Sequence, residues 1–508
     1  MLRIVVAVTS GCVPAWQRWC IDPLRALGGS AVEVRVVARG GSHDRAAGAT
    51  RALAGQALAP ASIALDRADP ASADVLLDLT GTEGGVIAAN EVWSFRLGDS
   101  DDPSLPFGRE IATGARTFDI ALIRRTAAGS STLRAGRFPV TEVYPSTLRL
   151  ALSQAALWPA SLASVLAAGA ALPSDPAPPA PRRMPLTPLE SLRFGFALVR
   201  GMWRAIAGEL LEITEWNVGL APGDPRRLLC AEPLDVRWFP RPAPSTFVAD
   251  PFVVERDGVR AMLVEAFDYR VGRGVVDALV LDDDDRVVSR RRAIDRPTHL
   301  SFPFPVEIDG ALYVVPENCA GNEVALYRCT RFPDRWEREA ALLPGEDGVD
   351  TMLFPFEGRW WAFGTRYRQG SNVALYAHHA PAPHGPWTAH LLNPIVCDVS
   401  SARPAGRPFV VDGALYRPGQ DCTASYGGGI AIARIDVLSP SAYRETIVQR
   451  FAGHRSGRWK DGFHTVDFTR GSIVVDGKHS YLDARKLKRS VPALVRRAAS
   501  LLKRSSRG

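Results

Sequence analysis

Between residues 249 and 468 the sequence five times sets a polar residue at the head of an apolar, strand-like run. The runs begin at Ala249-Asp-Pro-Phe-Val-Val, His299-Leu-Ser-Phe-Pro-Phe, Asp350-Thr-Met-Leu-Phe-Pro, Ala402-Arg-Pro-Ala-Gly and Phe463-His-Thr-Val-Asp-Phe. Further polar residues follow the second run of most repeats. The collected set is Asp250 with Glu265 and Asp268, His299 with Glu317 and Asn318, Asp350 with Arg366, Arg403 with Gln420 and Asp421, and His464 with Asp467. Carboxylates, arginines and histidines gathered at one radius suit a ligand with many hydroxyls. Paired carboxylates can serve as acid and base, or as nucleophile and acid, at an anomeric carbon. The competing explanation is structural, since Asp and Arg at such positions also tie neighbouring repeats together. His378-His379, His384 and His390 lack metal-ligand spacing, so neither a metal nor a cofactor is expected. Trp360-Trp361, Tyr327, Tyr367 and Tyr376 read as packing rather than as sugar platforms.

The elements that must position these residues are short strands joined by tight turns. Asp257-Gly258, Asp309-Gly310, Glu357-Gly358, Asp412-Gly413 and Asp476-Gly477 carry hairpin chemistry, at intervals of 52, 48, 55 and 64 residues. Each interval has room for one four-stranded blade, and five blades closed around an axis make a β-propeller. In that fold the residue before the first strand and the residue after the second meet on one rim. The chain has 508 residues with 44 Gly, 39 Pro and 12 Trp, which favours a large turn-rich β part and more than one compact unit. The first 150 residues alternate strand and helix signals. Strands at Ile4–Val8, Val32–Ala38 and Asp74–Thr80 predict an α/β domain with a parallel sheet, the third strand ending at Gly81 and Gly84-Gly85. Thr9-Ser-Gly11 and Asp78-Leu-Thr80 would flank any pocket there. No GxGxxG or P-loop pattern is present. The expected organisation is an α/β domain over 1–172, a Pro-rich linker over 173–188, a helical connector over 189–213, the propeller over 214–484 and a basic tail over 485–508.

The net charge of +7 belongs to that tail. Residues 485–508 hold nine Lys and Arg and no acid, and without them the net charge is −2. Val491, Leu494, Val495, Ala498, Leu501 and Leu502 recur there at helical spacing. A basic amphipathic helix lies on anionic membrane surfaces, and nucleic acid is not expected as a partner. Seven scattered cysteines with no CxxC pair argue against a disulfide framework and a zinc knuckle. The opening Met1-Leu-Arg-Ile-Val-Val-Ala-Val is too short an apolar run for a signal peptide and reads as a strand. The uncharged stretch between Arg149 and Asp175 predicts a buried helix rather than a membrane span. The expected location is the cytoplasm, peripheral on the inner membrane.

Residues 214–480 resemble the five-bladed propellers of the family 43 glycoside hydrolases and their levansucrase-like relatives. They resemble more closely the N-terminal propeller of glucosamine inositolphosphorylceramide transferases and its bacterial homologues. The resemblance rests on Phe247-Val-Ala-Asp-Pro-Phe, Val264-Glu-Ala-Phe-Asp-Tyr, Val315-Pro-Glu-Asn, Gly385-Pro-Trp, Asn393-Pro-Ile, Ala402-Arg-Pro-Ala-Gly and Arg417-Pro-Gly-Gln-Asp-Cys. It implies a base or nucleophile at Asp250 and a carboxylate that tunes the transition state at Asp350. The hydrolases take their acid from the fourth blade, where this chain has Arg403; Glu317 or Asp421 would have to substitute. Residues 1–150 are similar to the N-terminal domain of methionyl-tRNA and sugar formyltransferases, through Asp78-Leu-Thr-Gly and Val92-Trp-Ser-Phe-Arg-Leu-Gly-Asp. That family's Asn-x-His pair is replaced by Ser94 and Arg96, which removes the imidazole that carries the proton.

These observations favour a carbohydrate-active protein that transfers a glycosyl group in cell-surface glycan or glycolipid assembly, with a sugar or sugar-lipid as substrate. Asp250, Glu317 and Asp350 are the expected catalytic residues. Glu265, Asp268, His299, Arg366, Arg403, Gln420, Asp421 and His464 are the expected binding residues. A non-catalytic glycan-binding propeller is the second reading and sugar N-formylation the third.

Overall fold

The computed structural model describes residues 1–29, 31–39, 55–66, 73–80, 90–99, 105–178, 185–241, 243–454, 457–484 and 486. The expected turn at Gly81 and Gly84-Gly85 and the tail beyond Lys486 lie outside them. The N-terminal domain is a seven-stranded sheet. Its order is Val32–Ala38, Leu2–Val8, Val75–Asp78, Glu91–Leu97, Thr117–Thr126, Gly129–Pro139 and Asp175–Pro176. The first four strands pair in parallel, as their intervening helix and crossover lengths require. The last three run antiparallel, so the sheet is mixed and not the parallel sheet expected. The reason is local: only Ala127 and Ala128 separate Thr117–Thr126 from Gly129–Pro139, a link too short for anything but a hairpin.

Helix α1, Ala15–Ala26, buries Trp16, Cys20, Ile21 and Leu24 against this sheet. A short helix α2 spans Gly108–Thr113. Most of the uncharged stretch falls in the second half of α3, Tyr144–Ala155, and in α4, Trp158–Ala167. Leu152, Trp158, Leu162 and Val165 there are fully buried, as expected of a core helix. The Pro-rich stretch begins as the sheet's edge strand, where a missing N–H costs nothing. It ends at helix α5, Pro188–Leu211, which opens with a capping box: Thr187 Oγ1 accepts the Glu190 amide and Glu190 accepts the Thr187 amide.

The second domain is a ring of five sheets. Three are four-stranded meanders, Thr246–Ile294, Ser301–Pro344 and Phe409–Ala452, each antiparallel throughout. Another covers Gly348–Ala389 and adds a short outer strand, Val396–Cys397. The remaining blade takes Glu212–Pro222 and Arg237–Trp238 from one end of the domain and Val466–Thr469 and Ser472–Leu482 from the other. Four expected turns are present. Asp257-Gly258, Asp309-Gly310, Glu357-Gly358 and Asp412-Gly413 all have positive φ at both residues, the two-residue geometry whose twist matches paired strands. The fifth is not a turn. Asp476 and Gly477 sit in the middle of Ser472–Leu482, paired with Val218 and Asn217, and the hairpin turns instead at Arg470-Gly471.

The domains meet over a polar seam set in a shared core. The buried Arg134 guanidinium donates to the carbonyls of Leu392, at 2.9 Å, and Pro394. Gln154 of α3 donates to the Gln369 carbonyl at 2.6 Å and accepts from the Tyr376 hydroxyl at 3.1 Å.

Candidate active site

Three blades begin with the same local device. Their first and second strands slip register at Ala249/Phe252, Ser301/Phe304 and Val349/Met352. The residue in the bulge, Asp250, Phe302 or Asp350, takes a positive φ of 51°, 41° or 49°. A bulge re-aims a side chain that the pleat would otherwise send sideways. A non-glycine residue in the left-handed region costs of the order of 1 kcal/mol or more, which surrounding bonds must offset. They do at Asp250. Its Oδ2 accepts the Phe302 amide at 3.0 Å and its Oδ1 the Thr465 hydroxyl at 2.7 Å. In chain position, Asp350 repeats Asp250 and the second blade places Phe302 there. His299, expected at that position, lies three residues earlier.

Around Asp250 stands a buried ion triad. His464 Nδ1 lies 2.5 Å from Asp476 Oδ2, and its Nε2 lies 3.6 Å from Asp250 Oδ1. Asp476 also accepts the amides of His464 at 2.9 Å, Thr465 at 3.1 Å and Asp250 at 3.3 Å. Burial alone would depress the His464 pKa, but the two carboxylates outweigh it and raise it. Burial pushes Asp250 up to about 6, with His464 opposing. Asp250, His464 and Asp476 are the one group among the described residues close enough to share a metal ion. Both His464 nitrogens already face carboxylates, an arrangement that favours the charged ring between them. Trp216 stacks on His464 with centroids 3.9 Å apart, and Tyr426 meets it edge-on at 5.5 Å.

Arg403 organises the other half. Its Nε donates to Asp350 Oδ2 at 2.7 Å, and Nη2 lies 3.7 Å from Glu317 Oε2. Nη1 donates to Asn372 at 3.3 Å, and the guanidinium lies 4.9 Å from the Tyr426 ring centre. Gln420 donates to the same Asp350 oxygen at 3.0 Å. Glu317 Oε2 is buried without a hydrogen-bond donor. Burial, and Asp350 beside it, push the Glu317 carboxyl up to about 8. Burial likewise raises Glu265 well above the usual carboxylate range. His299 accepts the Gly274 amide on Nδ1 at 2.9 Å, so its Nε2 proton points toward Glu265 Oε1, 3.6 Å away. Burial lowers the His299 pKa and keeps that ring neutral at pH 7.

Of the expected residues, Asp250, Glu265, His299, Glu317, Asp350, Arg403, Gln420 and His464 are thus brought into one network of contacts and mutual charges. Three others sit elsewhere. Asp268 is gripped by Arg270 at 2.6 Å, which holds it down at about 2. Arg366 pairs with Glu346 at 2.7 Å and covers the Tyr376 ring. Asp421 pairs with Arg450 at 3.1 Å. The period of a strand explains two of these displacements, because neighbouring side chains point to opposite faces. Gln420 faces Asp350, so Asp421 cannot. The residue matching Glu265 and Glu317 across the blades is Thr365, since the three pair with Ala249, Ser301 and Val349, and Arg366 lies on the other face. Asp476, Trp216 and Tyr426 were not anticipated. The signal for Asp476 was a lone charge inside the apolar run Ile473-Val-Val-Asp-Gly.

Solved structures with a similar chain path include the catalytic domain of a Coprinopsis cinerea GH62 α-L-arabinofuranosidase. It shares 13% identity and a TM-score of 0.34, over 50% of this chain and 83% of that one. A thermostable family-43 glycoside hydrolase shares 16% identity at a TM-score of 0.32, over 41% of this chain and 78% of that one. Among curated proteins, the glucosamine inositolphosphorylceramide transferases 1 of Oryza sativa subsp. indica and subsp. japonica are each 34% identical over 227 residues, 44% of this chain. The Arabidopsis thaliana protein of the same name is 34% identical over 229 residues. The matched segment spans 30% of the length of these relatives. Residues 228–466, which contain Asp250, Glu317, Asp350, Arg403 and Gln420, match the family described as glucosamine inositolphosphorylceramide transferase 1, N-terminal.

Proposed function

We propose that the propeller binds a sugar against its buried carboxyl network and transfers a glycosyl group in glycolipid assembly. The observation that carries this reading is the gathering of four buried carboxyl groups, Asp250, Glu265, Glu317 and Asp350, around Arg403 and His464. A Glu317 carboxyl with a pKa of about 8 holds its proton at pH 7, whereas Asp250, at about 6, has given its proton up. Two acidic groups pushed apart in this way supply an acid and a base at one pH. In the proposed step the bond from the anomeric carbon to the leaving oxygen breaks and Glu317 gives that oxygen its proton. An acceptor hydroxyl then bonds the anomeric carbon and yields its proton to Asp250. Asp350, held in place by Arg403 and Gln420, faces the positive charge that develops on the sugar ring. The similarity of residues 228–466 to the transferase family supports the substrate class, a sugar or sugar-lipid.

A glycan-binding propeller without catalysis is favoured by one observation: Asp250 and Asp350 already spend their lone pairs on internal donors. Transfer from nucleotide-sugar donors to glycolipid acceptors by the full chain separates the two. Transfer that is lost in Glu317→Gln, with sugar binding retained, supports catalysis. Binding without transfer in the unchanged chain supports the second reading. The N-terminal domain we read as formyltransferase-like in fold but without the reaction, because Ser94 and Arg96 provide no imidazole. A lipid-linked acceptor calls for a membrane surface, which we assign to the basic tail, on the cytoplasmic side.

A further inference from the structure

Helix α5 is 24 residues long, about 36 Å at 1.5 Å per residue, and most of one side is bare. Leu192, Phe196 and Trp203 are 71%, 70% and 64% exposed, in line with Leu189, Val199 and Ile206. Their spacing of 3, 4, 3, 4 and 3 keeps them on one face. A soluble surface does not normally leave so many large apolar side chains together in water. The opposite side is spoken for: Phe194 is buried and meets Tyr144 edge-on at 5.4 Å. Beside the stripe, a groove of about 460 Å3 runs between α5 and the last residues of α2. Its walls are mainly apolar, and Arg193 and Arg200 stand at its edge.

The chemistry of the flanks selects the occupant. Arg193, Arg200 and Arg204 border the stripe, a cationic border without the alternating signs that pair one helix with its copy. The chain's basic tail also departs here. The Asp483 amide donates to the Leu211 carbonyl at 2.8 Å, and Lys486 Nζ reaches the Gly208 carbonyl at 3.3 Å. From that point 22 further residues follow, with seven Lys and Arg and no acid. Lys486 therefore adds a cation at the C-terminal end of the same helix whose stripe the three arginines border.

We infer that α5 is a membrane-surface helix that inserts Leu192, Phe196, Val199 and Trp203 into the interface of an anionic bilayer. Arg193 and Arg200 meet lipid phosphates, and the groove beside α2 receives an acyl chain. The helix lies in the plane of the interface and does not span it. This inference stands apart from the glycosyl reading: it requires only that a bilayer be the surface on which the molecule rests.

The experiment is flotation with vesicles of phosphatidylglycerol and phosphatidylcholine, run on the full chain, on a chain ending at Ala484, and on Phe196→Ser/Trp203→Ser in both. The substitutions leave charge unchanged at exposed positions, and Val288→Ser is the control for a bare apolar residue elsewhere. Removing two interfacial aromatic groups is expected to lower partitioning roughly tenfold or more in both chain lengths. Hydrogen exchange over residues 188–211 should slow when vesicles are added. Equal flotation of the double variant and the unchanged protein overturns the inference and leaves the tail as the anchor. A stable dimer without lipid that the double variant dissolves also overturns it, and assigns the stripe to a second copy. A vesicle-independent slowing of exchange at 188–211, lost with the tail, would mean that the tail covers the helix.

Discussion

Glu317 shows how a single carboxyl can set the pH behaviour of the whole site. Its folded pKa of about 8 lies above the ordinary 4.5, so the folded state keeps a proton that the unfolded chain has lost. Between those two values each rise in pH favours unfolding, because the unfolded state binds fewer protons. Glu317→Gln removes this penalty. Its melting temperature relative to the unchanged protein should therefore climb from pH 5 to pH 8, as measured by calorimetry at several pH values. A constant difference across that range would show that Glu317 ionises normally. Asp250 follows the same sign over a narrower window, from its ordinary 3.8 up to about 6. Transfer, if carried by this pair, is expected to peak between about 6 and about 8. It should fall below as Asp250 takes a proton and above as Glu317 loses its own. Sequence alone identified both residues by type, but not their protonation. That depends on burial and on Arg403, which arrives from another blade.

At the scale of elements, the hairpins were the most legible part. Four dipeptides ending in Gly mark four real turns because Gly, with Asp or Glu before it, satisfies two consecutive positive φ angles. Asp476-Gly477 has the same letters and a different fate. It pairs with a strand more than 250 residues earlier, and no local signal reports such a partner. Face assignments were legible only to within one residue: Arg366 is expected where Thr365 points inward, and of the expected pair Gln420 and Asp421 only Gln420 does. Blade contacts are tighter still at Gly406. Its φ is 136°, and a Cβ there would stand 1.8 Å from the Val466 carbonyl oxygen, on the strand that closes the ring. That neighbour is backbone and cannot swing away. Gly406→Ala should cost about 3 kcal/mol from overpacking and strain together, read as a lowered urea midpoint. A loss below about 0.5 kcal/mol, the scatter of surface substitutions, would mean that the two blades are not in register as described.

The whole molecule behaves as two domains held by a seam that the sequence did not disclose, since Arg134 and its carbonyl partners lie about 260 residues apart. Arg134→Ala leaves those two carbonyls facing a void and should loosen the seam by about 2 kcal/mol. Calorimetry should then resolve two transitions where the unchanged protein shows one. A single unshifted transition would show that the apolar contacts alone couple the domains. The five-bladed propeller was readable from turn spacing and strand rhythm. The antiparallel half of the first sheet, the closing blade and the bare face of α5 were not, because each depends on what packs where.

The closing blade has one more consequence. Glu212 pairs with Leu482, so the chain enters and leaves the propeller on adjacent strands, about 5 Å apart. A ring with its two ends side by side asks only for two neighbouring attachment points from the chain that carries it. It can be spliced into a surface loop, or have its ends joined and be cut open at another turn, without unpairing a single blade. Any new carrier would then have to supply the packing that the first domain now lends through the shared core.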